Sequence, residues 1–465
     1  MARVLFIVQD FVIEPLGLMS LAAVLKANNH HVELLKINSK HAEPWAARTD
    51  DEILFYAEKF APDIIVYSIT TGMHRYYAEI NLRLKQKLCF LAVFGGMHAS
   101  FFPDFINEEG VDVICRGEGE EAIAELANAL AEEKSIVGIK NLWVKEKGKV
   151  FQNPLRPLIA DIDKLPFPER GLIYRYKSSR DNPIKNFITT RGCPYKCSYC
   201  FNDGFYTMYG LANRKLVRSR SVKNVLDEIQ VVKGKYPLKL VYFQDDILSL
   251  HSDFSSLMEK YSKEIGVPFH AHMRPDLINE RIVNLLAKGG CLSITMSLES
   301  ANDSTRNLLK RGLTKEHVYA ASKLLHKYGI KFRLENMLGL PGETLKDCFG
   351  TLDMNIRCKP TIGWASLFQP YPGTELFNYA KNNNLFTGDV NEFNYSFFED
   401  SVLKLEHKRE IENLQKLFPL TVAFPFLRPA TKQIIKLPPN FLFRFVHNSW
   451  KNYLYQHKLY KAASS

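Results

Sequence analysis

Apolar and polar positions in the first 145 residues switch repeatedly between two patterns. Short apolar runs of strand length cover residues 4–8, 31–35, 64–69, 90–94 and 111–115. Between them, residues 16–28, 51–60, 78–87 and 120–133 have helical composition and length. A strand-length run followed by a helical segment is the repeat of a βα unit. Its repetition predicts a parallel sheet with helices on both faces. Ligands of such sheets sit at the carboxyl ends of the strands. The loops expected there are 10–17, 68–72, 95–100 and 117–121.

Residues 146–185 carry Pro154, Pro157, Pro166, Pro168 and Pro183 with little periodicity, and read as a linker. A second βα series follows over 186–385. Its expected strands are 186–190, 239–244, 269–273, 292–298, 331–337 and 363–368. The intervening helices are expected to begin near Ser221, Asp253, Asp276, Thr314 and Thr344, residue types that cap helix N-termini. Six such units are too few to close an eight-fold barrel and suit an open partial one. From 386 to 465 the pattern fades into a mostly helical segment. The expected fold is thus α/β: a Rossmann-like domain over 1–145, the linker, a partial (βα)6 barrel of the TIM type, and a C-terminal helical segment.

Composition narrows the class. The chain has 465 residues, 46% hydrophobic and 24% charged, which excludes wholesale disorder and fibrous repeats. No run of apolar residues reaches the ~18 of a membrane span. The apolar run at residues 4–8 is expected to be a buried strand and is too short for a secretion leader. Of eight cysteines, three fall within eight positions and the rest are scattered, which does not resemble a disulfide scaffold and points to a reducing cytoplasm. The net charge is +11, but eight cations and no carboxylate follow Glu412, so most of the basic character belongs to the C-terminal segment.

The sharpest chemical feature is Arg191-Gly192-Cys193-Pro194-Tyr195-Lys196-Cys197-Ser198-Tyr199-Cys200, directly after the first strand of the second series. Three thiolates in one short loop can converge on one metal centre. A structural zinc needs four closed ligands, and neither His251 nor Cys291 has zinc-finger spacing. An iron–sulfur cube on three cysteines leaves one iron free for a small ligand. Zinc and cluster both remain readings of the spacing alone.

Cys-x3-Cys-x2-Cys at the end of a first barrel strand, with Tyr199 before the last Cys, resembles the radical S-adenosylmethionine (SAM) superfamily. Further strand ends carry matching turns: Tyr242-Phe-Gln-Asp-Asp246, Ser297-Leu-Glu299-Ser300 with Lys310-Arg311-Gly312-Leu313-Thr314, Leu338-Gly339-Leu340-Pro341-Gly342-Glu343-Thr344, and Pro370-Tyr371-Pro372-Gly373-Thr374-Glu375. The resemblance implies that Cys193, Cys197 and Cys200 hold a [4Fe–4S] cluster whose open iron chelates SAM. It places Tyr199 against the adenine, by its ring or its backbone, and Asp245 or Asp246 on the methionyl ammonium. Ser297 and Glu299 would reach the ribose. Gly339 and Gly342 would let the backbone approach the base.

Residues 1–145 resemble the cobalamin-binding domain that precedes many radical SAM barrels. The matching pieces are Glu14-Pro15-Leu16-Gly17, Ser68-Ile69-Thr70-Thr71, Gly95-Gly96-Met97-His98-Ala99-Ser100 and Arg116-Gly117-Glu118-Gly119-Glu120. The implied cobalamin contacts are Gly17, Ser68, Thr70, Gly95, Gly96, His98, Gly117, Glu118 and Gly119. One departure stands out. Many cobalamin domains coordinate cobalt through the His of Asp-x-His-x-x-Gly, and counting back from Gly17 those places hold Val12 and Glu14.

Strand alternation puts Arg333 with Glu335 on one face, and His270, His272 and Arg274 on another. Charged residues facing into a barrel line a site, pair with each other or face solvent, and Arg333 and Glu335 are the catalytic candidates. The C-terminal segment mixes its cations with aromatics, and residues 440–460 have the spacing of an amphipathic helix. Packing on the barrel and contact with an anionic membrane are both open to it; no nucleic-acid recognition motif accompanies it. The resemblance implies a cytoplasmic methyltransferase that uses cobalamin and a 5′-deoxyadenosyl radical on an unactivated carbon, and the basic aromatic segment leaves association with a membrane open. Its substrate would be a small or lipid-like molecule, and its electrons would come from a ferredoxin- or flavodoxin-type donor. A cyclase or oxidoreductase with the same cofactors is the alternative, and a metal-stabilised binding protein is the reading from another class.

Overall fold

The apolar run near the N-terminus is the buried centre of β1 (Arg3–Gln9), whose Val4 to Ile7 are fully covered. In the computed structural model, β1 lies between β2 (His31–Ile37) and β3 (Ile64–Ser68), with Val4 opposite both Val32 and Ile64. Next come β4 (Leu91–Gly95) and β5 (Val113–Cys115), all parallel. The structure describes every residue except 12, 39–44, 212–215, 387, 389–392, 394–397, 439–440 and 455–465.

Beyond β5 the sheet continues differently from expectation. An antiparallel hairpin, β6 (Leu142–Glu146) and β7 (Lys149–Gln152), extends it to seven strands in the order β2-β1-β3-β4-β5-β6-β7. Its two-residue turn, Lys147-Gly148, has φ of 49° and 76°. Two left-handed residues give a turn whose twist matches that of the strands.

The chain divides into two compact units, Met1–Asn182 and Pro183–Ser465. Residues 146–182, expected as a linker, therefore belong to the first. Tyr176 is fully buried and donates its hydroxyl to the carbonyls of Leu34 and Trp45, at 2.7 and 2.8 Å. Arg170 is buried against Glu14 at 2.8 Å. The prolines punctuate this segment, but its buried side chains anchor it to the sheet.

The second unit is built on six parallel strands in chain order. The short pair β9 (Thr190–Arg191) and β10 (Arg218–Ser219) follows β8 (Ile184–Phe187). The main sheet runs β8, β11 (Leu240–Phe243), β12 (Phe269–His272), β13 (Cys291–Glu299), β14 (Lys331–Leu338) and β15 (Ile362–Leu367). This is the expected open barrel, with β8 and β15 at its two ends. Its outer face packs Phe243, Phe269, Ile294, Phe332 and Leu334 against the surrounding helices. Along β14 burial alternates strictly, so Phe332 and Leu334 face the helices and Arg333 and Glu335 face the other way.

Four of the five expected caps accept the N3 amide of their helix: Ser221, Asp253, Thr314 and Thr344. Asp276 does not. It lies in the 3-10 turn Pro275–Leu277, and the helix Glu280–Lys288 starts after Asn279, which caps it instead.

Nor is the C-terminal segment an appendage. The helix Lys408–Ala423 rests directly on β15, where a Cβ on Gly363 would come within 2.7 Å of Val422. Leu414 and Phe418 join Leu338, Phe349 and Leu367 in one core. The helix Phe441–Leu454 brings Trp450 and Leu454 onto Leu240, Ile362 and Trp364. The rest of the expected 440–460 helix lies outside the described residues. Among the described residues no helix is long and apolar enough to cross a membrane.

Breaking a buried ion pair from one side strands a charge, at a cost of about 3–5 kcal/mol. Arg170→Ala is therefore expected to destabilise the first unit by roughly that amount in urea titrations. The double replacement Glu14→Leu, Arg170→Met should cost less. An Arg170→Ala midpoint equal to that of the parent would refute the anchoring role.

Candidate active site

The cysteine loop leaves β9 through Gly192, whose φ is 101° and whose Cβ would collide with the Tyr206 hydroxyl and lie 2.6 Å from the Leu216 carbonyl. Only glycine fits there. Ser198 pins the middle of the loop. Its amide donates to Leu309 O (3.1 Å), its hydroxyl to Leu308 O (2.8 Å), and its carbonyl accepts from the Leu376 amide (2.7 Å). The loop is thus tied to the chain that follows β13 and to the chain that follows β15.

Cys197 is buried, and Cys193 and Cys200 are half-buried. Burial pushes the Cys193 thiol up to about 11 and the Cys200 thiol up to about 12, with a further upward push from neighbouring thiols. Cys193 and Cys200 therefore stay protonated unless positive charge arrives. A bound metal centre supplies such charge and deprotonates its thiol ligands. Among the described residues, no three His, Cys, Asp or Glu side chains gather closely enough for a single ion. Three thiols on one loop are the donor set of a cluster that leaves one iron open, whereas a structural zinc needs a fourth ligand.

Two guanidinium groups brace this loop. Arg274, just past β12, lies over the Tyr195 ring at 3.6 Å and places a nitrogen 4.0 Å from Cys197 Sγ. It also donates to Asp276 Oδ1 at 2.8 Å and to the Arg311 carbonyl. Arg311 in turn donates to Glu299 Oε1 at 3.0 Å, to Ser297 O at 3.3 Å, and to the Tyr199 hydroxyl. Burial opposes the Arg311 charge, but Tyr199 and Glu299 outweigh it and hold its pKa above the ordinary value. Sequence reading had Arg274 and Arg311 only as members of a strand face and a motif.

This network changes the place of Glu299. A register shift between Ser297 and Glu299 and a φ of 67° turn its carboxylate into the ion pair with Arg311, where the Tyr199 hydroxyl also donates at 2.9 Å. Its Oε1, on the carboxylate expected to reach the ribose, is thus held by a cation and a hydroxyl. Tyr199 is likewise committed by its hydroxyl, and its ring packs beside Leu309, Leu340 and Leu376.

The two aspartates after β11 separate cleanly. Asp245 is completely buried, and its Oδ1 accepts from the amide and hydroxyl of Thr189 (3.0 and 2.7 Å) and of Thr190 (2.6 and 2.7 Å). It latches the end of β11 to the entry of the cysteine loop and is unavailable to an ammonium group. Asp246 accepts from Asn202 at 3.0 Å and lies close enough to raise the pKa of Cys193 and Cys200. Of the pair, Asp246 faces the cysteines.

Glu343 plays a similar part at β14. Its carboxyl accepts from the amides of Gly339 (3.0 Å) and Leu340 (3.2 Å) and from the Ser300 hydroxyl (2.8 Å). It therefore shapes the glycine turn and ties it to the end of β13. Gly339 has φ 72°, and a Cβ there would come within 2.7 Å of Leu405. Gly342 has φ 76° and open space beside it.

Inside the barrel, Arg333 and Glu335 form an ion pair, the alternative to an open catalytic pair. His270 engages Ser293 and Thr295 through its two ring nitrogens at 2.7 and 3.0 Å. His272 meets the Tyr242 hydroxyl at 3.2 Å, and burial holds its pKa down to about 4, so its ring is neutral at pH 7. Arg274 does not share that face but turns to the cysteine loop.

In the first unit, Gly17, Ser68 and Thr70 are exposed, and Gly95, Gly96, Gly117 and Gly119 half-exposed, at the carboxyl ends of β1, β3, β4 and β5. A Cβ on Gly17 would meet nothing within 4 Å. Gly96 is required where it stands, with φ 92° and the Ile69 carbonyl 2.8 Å from its would-be Cβ. This rim of small residues fits a bulky tetrapyrrole with a nucleotide tail. His98 does not belong to the rim. It is buried, stacked 3.9 Å from His74, bonded to Thr71 at 3.0 Å, and held by burial down to about 3. Glu118 is occupied as well, accepting from the Ile159 amide at 2.9 Å. Glu14, at the place of a cobalt-ligating His, is buried in its pair with Arg170; Val12 lies outside the described residues.

Family models match both units: a B12 binding domain over residues 2–127 and the radical SAM superfamily over 187–354. The chain thus carries a B12 binding domain ahead of a radical SAM domain. It is 29% identical over 428 residues to an uncharacterized methyltransferase of Pyrococcus horikoshii, covering 91% of this chain and 89% of the relative. It is 26% identical to the anaerobic magnesium-protoporphyrin IX monomethyl ester cyclase of Rubrivivax gelatinosus, over 71% of this chain and 60% of that one. The fold is similar to TsrM of Kitasatospora setae, a radical SAM methyltransferase solved with cobalamin and a [4Fe-4S] cluster (TM-score 0.66, 18% identity, 82% of this chain and 75% of that one). It is also similar to OxsB, a cobalamin-dependent SAM radical enzyme solved with aqua-cobalamin and SAM (TM-score 0.69, 16% identity, 98% and 71%).

Burial raises the Glu343 carboxyl from its ordinary 4.5 to about 7. The folded chain thus binds this proton more tightly than the unfolded chain. The stability linked to it is complete below about 4.5 and is lost as pH rises through about 7. Removing the titration with Glu343→Gln is expected to flatten this fall, worth roughly 3 kcal/mol, in melting curves taken across that range. An unchanged pH slope in the variant would contradict the assignment.

Proposed function

We propose that the protein is a cobalamin-dependent radical SAM methyltransferase acting on an unactivated carbon of a small or lipid-like molecule. The observation that carries this reading is the cysteine loop: three thiols within eight residues, pinned through Ser198 and braced by Arg274, at the carboxyl end of an open barrel. Cys193, Cys197 and Cys200 are the proposed cluster ligands. When bound, the cluster supplies the electron that cleaves SAM to a 5′-deoxyadenosyl radical, and cobalamin supplies the methyl group.

The chain's own groups prepare the site. Asp246 is the carboxylate proposed to take the methionyl ammonium, since Asp245 is consumed by Thr189 and Thr190. Tyr199 is proposed to serve the adenine through its backbone, because its hydroxyl is held by Glu299 and Arg311. Glu343 holds the shape of the Gly339–Gly342 turn, which is proposed to lie against the flat base. Arg274 and Arg311 keep positive charge beside the cysteine loop, which favours ionised sulfur. Ser68, Thr70, Gly17, Gly95, Gly96, Gly117 and Gly119 are the proposed rim for cobalamin, with no imidazole from the loop after β1. Electrons are proposed to come from a ferredoxin- or flavodoxin-type donor. The chain's unpaired cysteines support a reducing, cytoplasmic compartment.

The likeness to the Rubrivivax cyclase keeps a second reading in view, ring closure or oxidation with the same cofactors. Product analysis separates the two. Anaerobically reconstituted protein turning over substrate is expected to form S-adenosylhomocysteine together with 5′-deoxyadenosine. The second product without the first would favour the cyclase reading. Cys197→Ala is expected to bring 5′-deoxyadenosine formation down to the uncatalysed background, and undiminished cleavage in that variant would overturn the proposal.

A further inference from the structure

Scattered exposed hydrophobic side chains are normal on a folded protein; contiguous ones are not. Of the fourteen large hydrophobic side chains exposed among the described residues, eight lie between Phe424 and Tyr453, so exposure is concentrated in one short stretch. The most open are Phe441 at 83%, Phe426 at 77% and Phe445 at 64%. On the helix Phe441–Leu454, the buried residues Phe443, His447 and Leu454 recur at helical spacing and face the barrel. At ~100° per residue, Phe441, Leu442, Phe445 and Tyr453 share an arc on the opposite side. At the far end the patch continues through touching rings: Tyr453 against Trp450 at 5.2 Å, Trp450 against Phe424 at 5.4 Å, and Phe424 against Phe426 at 6.0 Å.

The segment that forms this face carries charge of one sign. Arg444, Lys432 and Lys436 are exposed, and no carboxylate occurs after Glu412. The other basic groups of the segment are already engaged: Lys416 is buried on the carbonyls of Phe398 and Glu399, and Arg428 is bidentate on Asp353. A second copy docking through this face about a two-fold axis would set cations against cations. A surface of negative charge over hydrocarbon satisfies both features at once.

We propose that the outer face of the helix Phe441–Leu454, with the Phe424–Phe426 turn, is a docking surface for an anionic lipid bilayer. Phe426, Phe441, Leu442 and Phe445 enter the acyl boundary, and Lys432, Lys436 and Arg444 meet the headgroups. The helix lies along the interface and does not cross it. This inference does not rest on the assigned chemistry, because the surface is complete without any cofactor.

The test is flotation of the full chain with vesicles of equimolar phosphatidylglycerol and phosphatidylcholine, against vesicles of phosphatidylcholine alone. Binding is expected only where phosphatidylglycerol is present, and is expected to weaken as salt is raised. Arg444→Gln should weaken it about fivefold, the equivalent of about 1 kcal/mol per cation near the surface. Phe441→Ser with Phe445→Ser should reduce it further while leaving the melting curve unchanged, since both side chains are exposed. Absence of phosphatidylglycerol-dependent binding, or equal binding by these variants, overturns the proposal. So does concentration-dependent self-association that the double variant abolishes without any effect on vesicle binding.

Discussion

Thiols buried in a loop ionise only where positive charge is supplied, and the second unit is organised around that constraint. Burial alone raises two of them far above neutrality. The surroundings answer with Arg274 against Cys197 and with Arg311 behind it. Neither guanidinium alone neutralises three sulfurs, so the loop is shaped to receive a cationic centre. The ties through Ser198, Leu308, Leu309 and Leu376 hold it in that shape beforehand, so that little ordering remains to be done when the centre arrives.

The same electrostatics explain why several carboxylates at the strand ends are latches. Asp245 closes on Thr189 and Thr190, Glu299 on Arg311 and Tyr199, and Glu343 on the Gly339 turn and Ser300. Each is buried, and a buried carboxylate is costly unless it is bonded on several sides. They set the positions of the loops that surround the cysteines, while Asp246 stays exposed and bonded to Asn202. In the first unit the division is similar: Glu14, His98 and Glu118 are structural, and the glycines and small hydroxyl residues form the rim.

Element type was legible because its signal is local. Short strand-length runs marked all eleven strands of the two parallel series to within a few residues, and four hydroxyl or carboxylate caps stood where the helices begin. The cysteine triplet was legible for the same reason. What the residues alone concealed is partnership across long sequence separations. Glu14 and Arg170 are 156 residues apart, and Tyr199 and Glu299 are 100 apart. Nothing near either residue announces the other, so a polar residue at a strand end reads as a ligand contact until its partner is seen. The proline-rich 146–182 segment misled in the same way: its prolines are local, while the contacts of Tyr176 with Leu34 and Trp45 are not.

The claim on which the account turns is that the three cysteines hold a cluster with one coordination position open to SAM. Electron–nuclear double resonance on the reduced, anaerobically reconstituted protein, with SAM labelled at the methionyl nitrogen, tests it most directly. The account predicts a hyperfine coupling between that nitrogen and the cluster spin. Iron-free protein, or a reduced cluster that shows no such coupling in the presence of saturating SAM, would contradict it.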